Sequence, residues 1–342
     1  MPMEEAVRVS NLKEDCEIIA RKLSETMNIS PYNVEQLGIM LSSSFKVEDI
    51  RREKRGSRWY ICDIDRWFSE KVLPNTVVLT KSDYQVALYR AFNLLVKGNI
   101  ARTDFGSSRQ RDFGQMWTDF TRGYLGEIGM KKFMKARLDL DVELEELRIG
   151  EVQEFIQRDI VKVKEGVDFR NVRTKISVKT SKLNALWLDI GNQISHSDFF
   201  VFIKIGLKTD HYTTYMKESG AVEKLLREAV QAGELQENQL EYIKNELFER
   251  IPDFRELPVY VAGYASKQDL ESGRLDVEER VVRKRSGETV TVKTVIGGMG
   301  YYDEDTADEV LGLGDIGVGK HLASINSLKW MQEDWNKVKE KI

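Results

Sequence analysis

Cysteine, histidine and proline are scarce: two, three and five among 342 residues. Cys16 and Cys62 lack the CxxC spacing of redox or zinc sites, which fits a reducing compartment. His196, His211 and His321 show no metal-ligand spacing, and no Ser/His/Asp set for nucleophilic catalysis emerges. No apolar run approaches the roughly 20 residues of a membrane span. The N-terminus has neither a basic start nor an apolar core of the kind a secretory leader needs. A cytoplasmic location with no membrane partner is therefore expected. Gly/Ser-rich, Gln-rich and Pro-rich tracts are also missing, as are internal repeats, so order is expected nearly throughout.

Charge is abundant but balanced. Lys and Arg number 52 and Asp and Glu 56, a net charge of -4. That excludes a chain holding nucleic acid through its overall field and leaves room only for a local basic groove.

The first third reads as mostly helical. Asn11 caps a helix over 10–28, Glu14 completes a capping box, and Leu12, Cys16, Ile19, Leu23 and Met27 share a face. Ser30 and Pro31 start a second helix through Leu37 to Leu41. A third helical segment, 46–55, carries Arg51, Arg52, Lys54 and Arg55, and 57–62 reads as a strand. This fits either a winged-helix reader with Arg51 and Arg52 on DNA phosphates or a helical cap with a solvated charge cluster. Ser82 caps another helix through Val86, Tyr89, Phe92 and Val96, which stops at Gly98. Arg109 and Arg111 lie in an aperiodic stretch, 102–122, which is either a phosphate-contacting loop or a solvated linker.

From Phe120 the pattern is helical, yet Gly123, Gly126 and Gly129 recur every three residues. Each costs about 1 kcal/mol against alanine, so a packing reason is expected: a helix pressed onto a sheet, with Glu127 beside the glycine ridge and short of water. The alternative is an ordinary surface glutamate. Residues 160–164 alternate as a strand closed by Glu165 and Gly166. Residues 176–180 alternate again, with Ile176 and Val178 on one face, Ser177 and Lys179 on the other, and Asp168 nearby. A short helix over 183–194, a central strand over 199–205, helices over 220–232 and 235–250, and a strand over 258–265 complete the pattern. Strands separated by helices indicate an α/β fold with a mixed central sheet flanked by helices. Three parts are expected: a mostly helical N-terminal domain (1–105), a core (106–275) and a C-terminal hairpin and helix extension (276–342).

In the extension, a strand bearing Arg280, Arg283, Lys284 and Arg285 and an alternating run at 288–296 are joined through Ser286 and Gly287, the pattern of a β-hairpin. Its cations suit either a ribbon lying on DNA or an edge strand guarded by charge. Residues 322–342 read as a closing helix with Trp330 and Trp335 available for docking. The stretch from Gly314 to Lys320 fits GxxxxGK, but His321 stands where Ser or Thr would hold Mg²⁺ and no apolar strand precedes it, so no nucleotide cofactor is expected.

Glu127 after Gly126 on a helix, then Asp168, then Ser177 and Lys179 two apart on a strand, then the apolar strand after Ser197 and Asp198, resemble the PD-(D/E)XK nucleases, the fold of most type II restriction endonucleases. The resemblance covers roughly 110–270. It implies Mg²⁺ bound by Asp168, a Lys179 that orients or deprotonates the attacking water and offsets developing charge, and a Glu127 that completes the metal or water shell. Ser177 departs from the family, which usually has Asp or Glu there, and a hydroxyl is a poor metal ligand. Glu127 is the first candidate to replace that acid and Asp189 the second. Asp159 rivals Asp168, and Gln193 is a further candidate for positioning a water or base. The implied function is an endonuclease that cuts double-stranded DNA at a specific sequence, as a homodimer because symmetric cutting needs two sites. A repair or junction nuclease, or a DNA-binding regulator on an inactive nuclease fold, are the rival readings.

Overall fold

The computed structural model describes residues 7–9, 52–55, 58–61, 68–97, 112–145, 159–182, 185–207, 211–247, 256–283, 287–313 and 317–342, with 25, 66 and 250 singly. Apart from residue 25, the helices expected over 10–28 and 31–41, both cysteines, the cap at Gly98 and the residues Arg51, Arg109, Arg111, Lys284 and Arg285 lie outside the described residues.

Near the N-terminus, β1 (Val7–Val9), β2 (Arg52–Arg55) and β3 (Arg58–Ile61) form a small antiparallel sheet in the order β1-β3-β2. The strand expected at 57–62 is β3. The end of the segment expected as helix, 52–55, is instead β2, because Arg52 pairs with Ile61 and Arg55 with Arg58 across a hairpin. Local pairing outweighs the helix propensity of this segment.

The chain then runs through β4 (Thr76–Leu79), α1 (Lys81–Lys97), α2 (Phe113–Leu138), β5 (Val142–Leu144), β6 (Ile160–Glu165), β7 (Asp168–Asn171), β8 (Ile176–Lys182), β9 (Trp187–Gly191) and β10 (Phe199–Ile205). After it come α3 (His211–Glu218), α4 (Ala221–Gln231), α5 (Glu237–Tyr242), β11 (Leu257–Ser266) and α6 (Lys267–Ser272). The last elements are β12 (Leu275–Arg283), β13 (Thr289–Tyr302), β14 (Glu309–Val310), β15 (Lys320–Ser324) and α7 (Gln332–Lys341). The fold is mixed α/β.

Capping explains where the two long helices begin. Asp83 accepts from the Thr80 N–H at 2.7 Å while its own N–H donates to the Thr80 hydroxyl, so α1 is capped at Thr80 rather than at Ser82. Asp112 accepts from the Gln115 N–H at 2.7 Å and starts α2 seven residues before Phe120. At the far end Asp139 turns left-handed with φ 51° and ends the helix.

The central sheet runs β4-β11-β10-β8, with β10 parallel to β8 and antiparallel to β11. Every residue of β10 is buried, as a central strand requires. Ile176, Val178 and Thr180 share a side with Phe199, Val201, Ile203 and Ile205. That side packs under α2, and Trp335 of α7 inserts against Phe133 and Tyr264, with ring centroids 4.8 and 5.1 Å apart. The glycine ridge has two working members. A Cβ on Gly126 would lie 2.9 Å from Thr180 Cβ, and one on Gly129 would lie 2.6 Å from Val259 Cγ1, whereas Gly123 faces open space.

A second sheet, β12-β13-β15-β9, carries its own apolar cluster of Leu186, Trp187, Val295, Tyr302, Val310 and Leu322. The hairpin expected around 280–296 is β12 and β13, extending back to Leu275 opposite Gly298. Two helix expectations fail here. Residues 187–191 are strand β9, since a short apolar run has no period long enough to separate strand from helix and pairing with β15 decides it. Residues 320–324 are strand β15, so the closing helix starts only at Gln332.

The boundaries expected at 105 and 275 do not divide the described elements. Strand β4 pairs with β11 inside the core sheet, β9 pairs with β15 across the expected boundary, and Trp335 is buried in the main core. No helix among the described residues is long and apolar enough to cross a membrane.

Two carboxylates tie helices into this frame. Burial opposes ionisation of Asp83, yet the Lys132 ammonium at 2.5 Å and the Thr80 donors outweigh it and hold its carboxyl below the ordinary value. Burial likewise opposes ionisation of Asp269, where Lys329 at 2.7 Å and Ser266 at 2.6 Å prevail.

Gly123→Ala should leave stability unchanged or raise it by up to about 1 kcal/mol. Gly126→Ala and Gly129→Ala should each lower it by about 1–3 kcal/mol through overpacking, read from urea unfolding midpoints. Because folding depresses the pKa of Asp83 and Asp269, their contribution is present above the unfolded value of about 4 and fades as pH falls through it and below. The double variant Asp83→Asn, Asp269→Asn should therefore lose stability at pH 7 and show a flatter loss on acidification than the parent, followed by thermal melts from pH 7 to 3.

Candidate active site

Alternation along β8 divides its side chains. Ile176, Val178 and Thr180 face α2, and Ser177, Lys179 and Ser181 project from the opposite side. Within the core sheet β8 is the edge strand, and the start of β6 covers that edge. The Asp159 N–H donates to the Ile176 carbonyl at 3.0 Å, and the Val178 N–H donates to Asp159 Oδ2 at 2.5 Å. The carboxylate thus sits at the strand margin, at the residue between Ser177 and Lys179. Local sequence explains its placing: Asp159 immediately precedes the alternating run of β6, whose first residue Ile160 is fully buried and anchors it.

Asp168 takes a different place. It pairs with Glu165 at the exposed tip of the β6–β7 hairpin, beside Gly166 with φ 66°. Six residues of strand separate that tip from Asp159, roughly 20 Å at strand rise. The expectation that Asp168 lies with Lys179 is therefore corrected in favour of Asp159. A cue was present in the sequence, since Asp168 follows a turn glycine and Asp159 precedes a strand.

Asp189 is also displaced from the role of second acid. It lies on β9, accepts from the Gly191 N–H at 2.8 Å and forms an ion pair with Lys320 at 3.3 Å, so it shapes a turn and joins two strands. Glu127 is only 4% exposed, which rules out an ordinary surface glutamate. It comes from α2, on the Thr180 side of β8, whereas Ser177 and Lys179 leave from the other; Asp159 stands at the margin between the two sides.

Lys179 meets the side-chain oxygen of Gln193, which follows β9. Further along the same side, Lys204 of β10 lies opposite Ser181 of β8 and Tyr260 of β11 and is completely buried. Sequence reasoning passed over Lys204, although a lysine two residues after Phe202 in an otherwise apolar strand was a visible signal.

Of the expected DNA contacts, Arg52, Arg280 and Arg283 lie among the described residues. Arg52 lies on β2. Arg280 forms a 3.4 Å ion pair with Glu278, and Asp276 and Glu279 share that strand, so β12 carries three acids against Arg280 and the exposed Arg283. Lys320 begins a strand rather than a helix, which removes the helix N-terminus a phosphate loop requires. Among the described residues, no three His, Cys, Asp or Glu side chains gather into a metal-holding group. Comparisons with protein families, with curated proteins and with solved structures found no match for this chain.

Proposed function

We propose that the chain is a Mg²⁺-dependent endonuclease that cuts double-stranded DNA at a specific sequence, built on a restriction-endonuclease-like core and acting as a homodimer. The observation that carries this reading is the grip of the Asp159 carboxylate on the Val178 N–H. It holds an anionic oxygen donor at the strand position flanked by a hydroxyl, Ser177, and an ammonium, Lys179.

The donors suit a hard, largely hydrated cation. Mg²⁺ is usually bound through one or two carboxylates, several waters and a substrate phosphate, so Asp159 would hold it at the strand margin without a three-acid cluster, and Glu127, which leaves from the opposite side of β8, is not needed as a ligand. A bound divalent ion would supply positive charge to the attacking water and to the non-bridging phosphate oxygens. Asp159 acts as the anionic anchor at the strand margin. Lys179 orients the water through a donated hydrogen bond and offsets charge that grows on the phosphorus oxygens as the bond forms. Ser177 donates or accepts one hydrogen bond beside them.

A second reading, a DNA-binding regulator without cleavage, is favoured by Ser177 in an acid's place and by the lack of a three-donor group among the described residues.

Incubating the protein with plasmid and Mg²⁺ should yield discrete bands, and a lack of metal-dependent cleavage across temperatures would sink the proposal. Lys179→Ala should lower cleavage by about 10²–10³-fold while DNA binding stays within a few-fold, because its charge acts on the transition state. Asp159→Asn should lose cleavage to a similar degree and Asp168→Asn should retain it, an ordering that gel-based rate measurements would check.

A further inference from the structure

Gln193 stands where two parts of the fold fix the backbone around it. Gly191, with φ 58°, turns the chain out of β9, and the Asp189 carboxylate accepts the Gly191 N–H across that turn at 2.8 Å. The Gln193 N–H donates to the Ile190 carbonyl at 3.2 Å, and the Gln193 carbonyl accepts from the His196 N–H at 3.0 Å, which opens a short 3-10 turn, Ile194–His196. Beyond that turn the chain enters the buried strand β10. Gln193 itself has φ -92° and ψ 12°, the bridge region of backbone space where many active-site residues sit. One side of the residue is therefore anchored on the second sheet and the other on the central strand.

From this fixed point its carboxamide reaches the ammonium of Lys179. An ammonium only donates hydrogen bonds, so the atom of Gln193 that faces it is the carbonyl oxygen and the amide hydrogens point away from the lysine. The acceptor is neutral. It restrains a side chain with four rotatable bonds without cancelling its charge, which a carboxylate at the same position would do.

We propose that Gln193 is the positioning residue of Lys179: through a neutral acceptor it selects the lysine conformer that reaches the scissile phosphate. The inference rests on Lys179 serving phosphodiester cleavage as argued above. The second sheet then has a part in catalysis, because strand β9, locked to β15 and to Lys320, carries the turn from which Gln193 meets the lysine.

The test needs one readout that depends on cleavage and one that does not. Gln193→Met preserves length and volume while deleting the acceptor, and Gln193→Glu preserves an acceptor. Competitive acylation with a limiting anhydride, quantified at Lys179 by mass spectrometry against the exposed Lys164 and Lys182, measures how firmly the ammonium is held. Acylation of Lys179 should rise roughly 3–10-fold in Gln193→Met and should not rise in Gln193→Glu. In cleavage assays Gln193→Met should lose roughly 10–100-fold in kcat with KM within about threefold, since misplacing a catalytic group affects the chemical step more than ground-state binding. Unchanged acylation in Gln193→Met overturns the hold, whether or not the protein cuts DNA. Faster acylation with unchanged kcat overturns the positioning role, and a wild type that never cleaves refutes the nuclease reading and with it that role.

Discussion

A side chain at Gly126 or Gly129 would enter space already filled by Thr180 or Val259, so α2 lies on the central sheet at a distance that only bare backbone allows. Much else follows from this approach. It goes with the burial of twelve residues of one helix, Glu127 among them. Cores this dense transmit small shifts instead of absorbing them, so the helix and β8 behave as one rigid piece. The candidate site is mounted on that piece: the strand pressed from one side by α2 presents Ser177 and Lys179 on the other.

Elements outside the central sheet supply what it cannot. Edge strand β8 needs something beyond it to cover its margin and orient its polar side chains. Asp159 meets the first need through a backbone N–H, and Gln193 meets the second from the turn after β9. Both partners are delivered by elements whose own anchors lie elsewhere, Ile160 in the main core and Asp189 on Lys320. The polar side of the central sheet is thereby furnished from two directions, with the buried Lys204 and Tyr260 beneath it.

The central strands were legible because their signals are local. Strands 160–165, 176–182, 199–205 and 257–266 alternate or run apolar over enough residues for the period to be read, and α2 declared its packing through its glycines. Strands β9 and β15 were not legible as strands. Neither alternates apolar and polar residues, and each pairs with the other from more than a hundred residues away. The expected boundaries at 105 and 275 failed for the same reason: β4, β9 and α7 join partners distant in sequence, and composition carries no trace of such pairing.

By itself the sequence determined three of the four central strands, the close seat of α2, and the sharing of one strand face by Ser177 and Lys179, because helix and strand periods and the volume of a glycine are properties of neighbouring residues. Only the tertiary structure decided which acid stands beside them. Asp159 and Asp168 are equivalent as composition and nearly so as spacing; a backbone hydrogen bond to Val178 puts one at the strand margin, and hairpin geometry carries the other about 20 Å away into solvent. It decided likewise that Asp189 pairs with Lys320 and that Gln193 meets Lys179, since contacts between strands of different sheets depend on how the sheets are joined and not on the residues along either one.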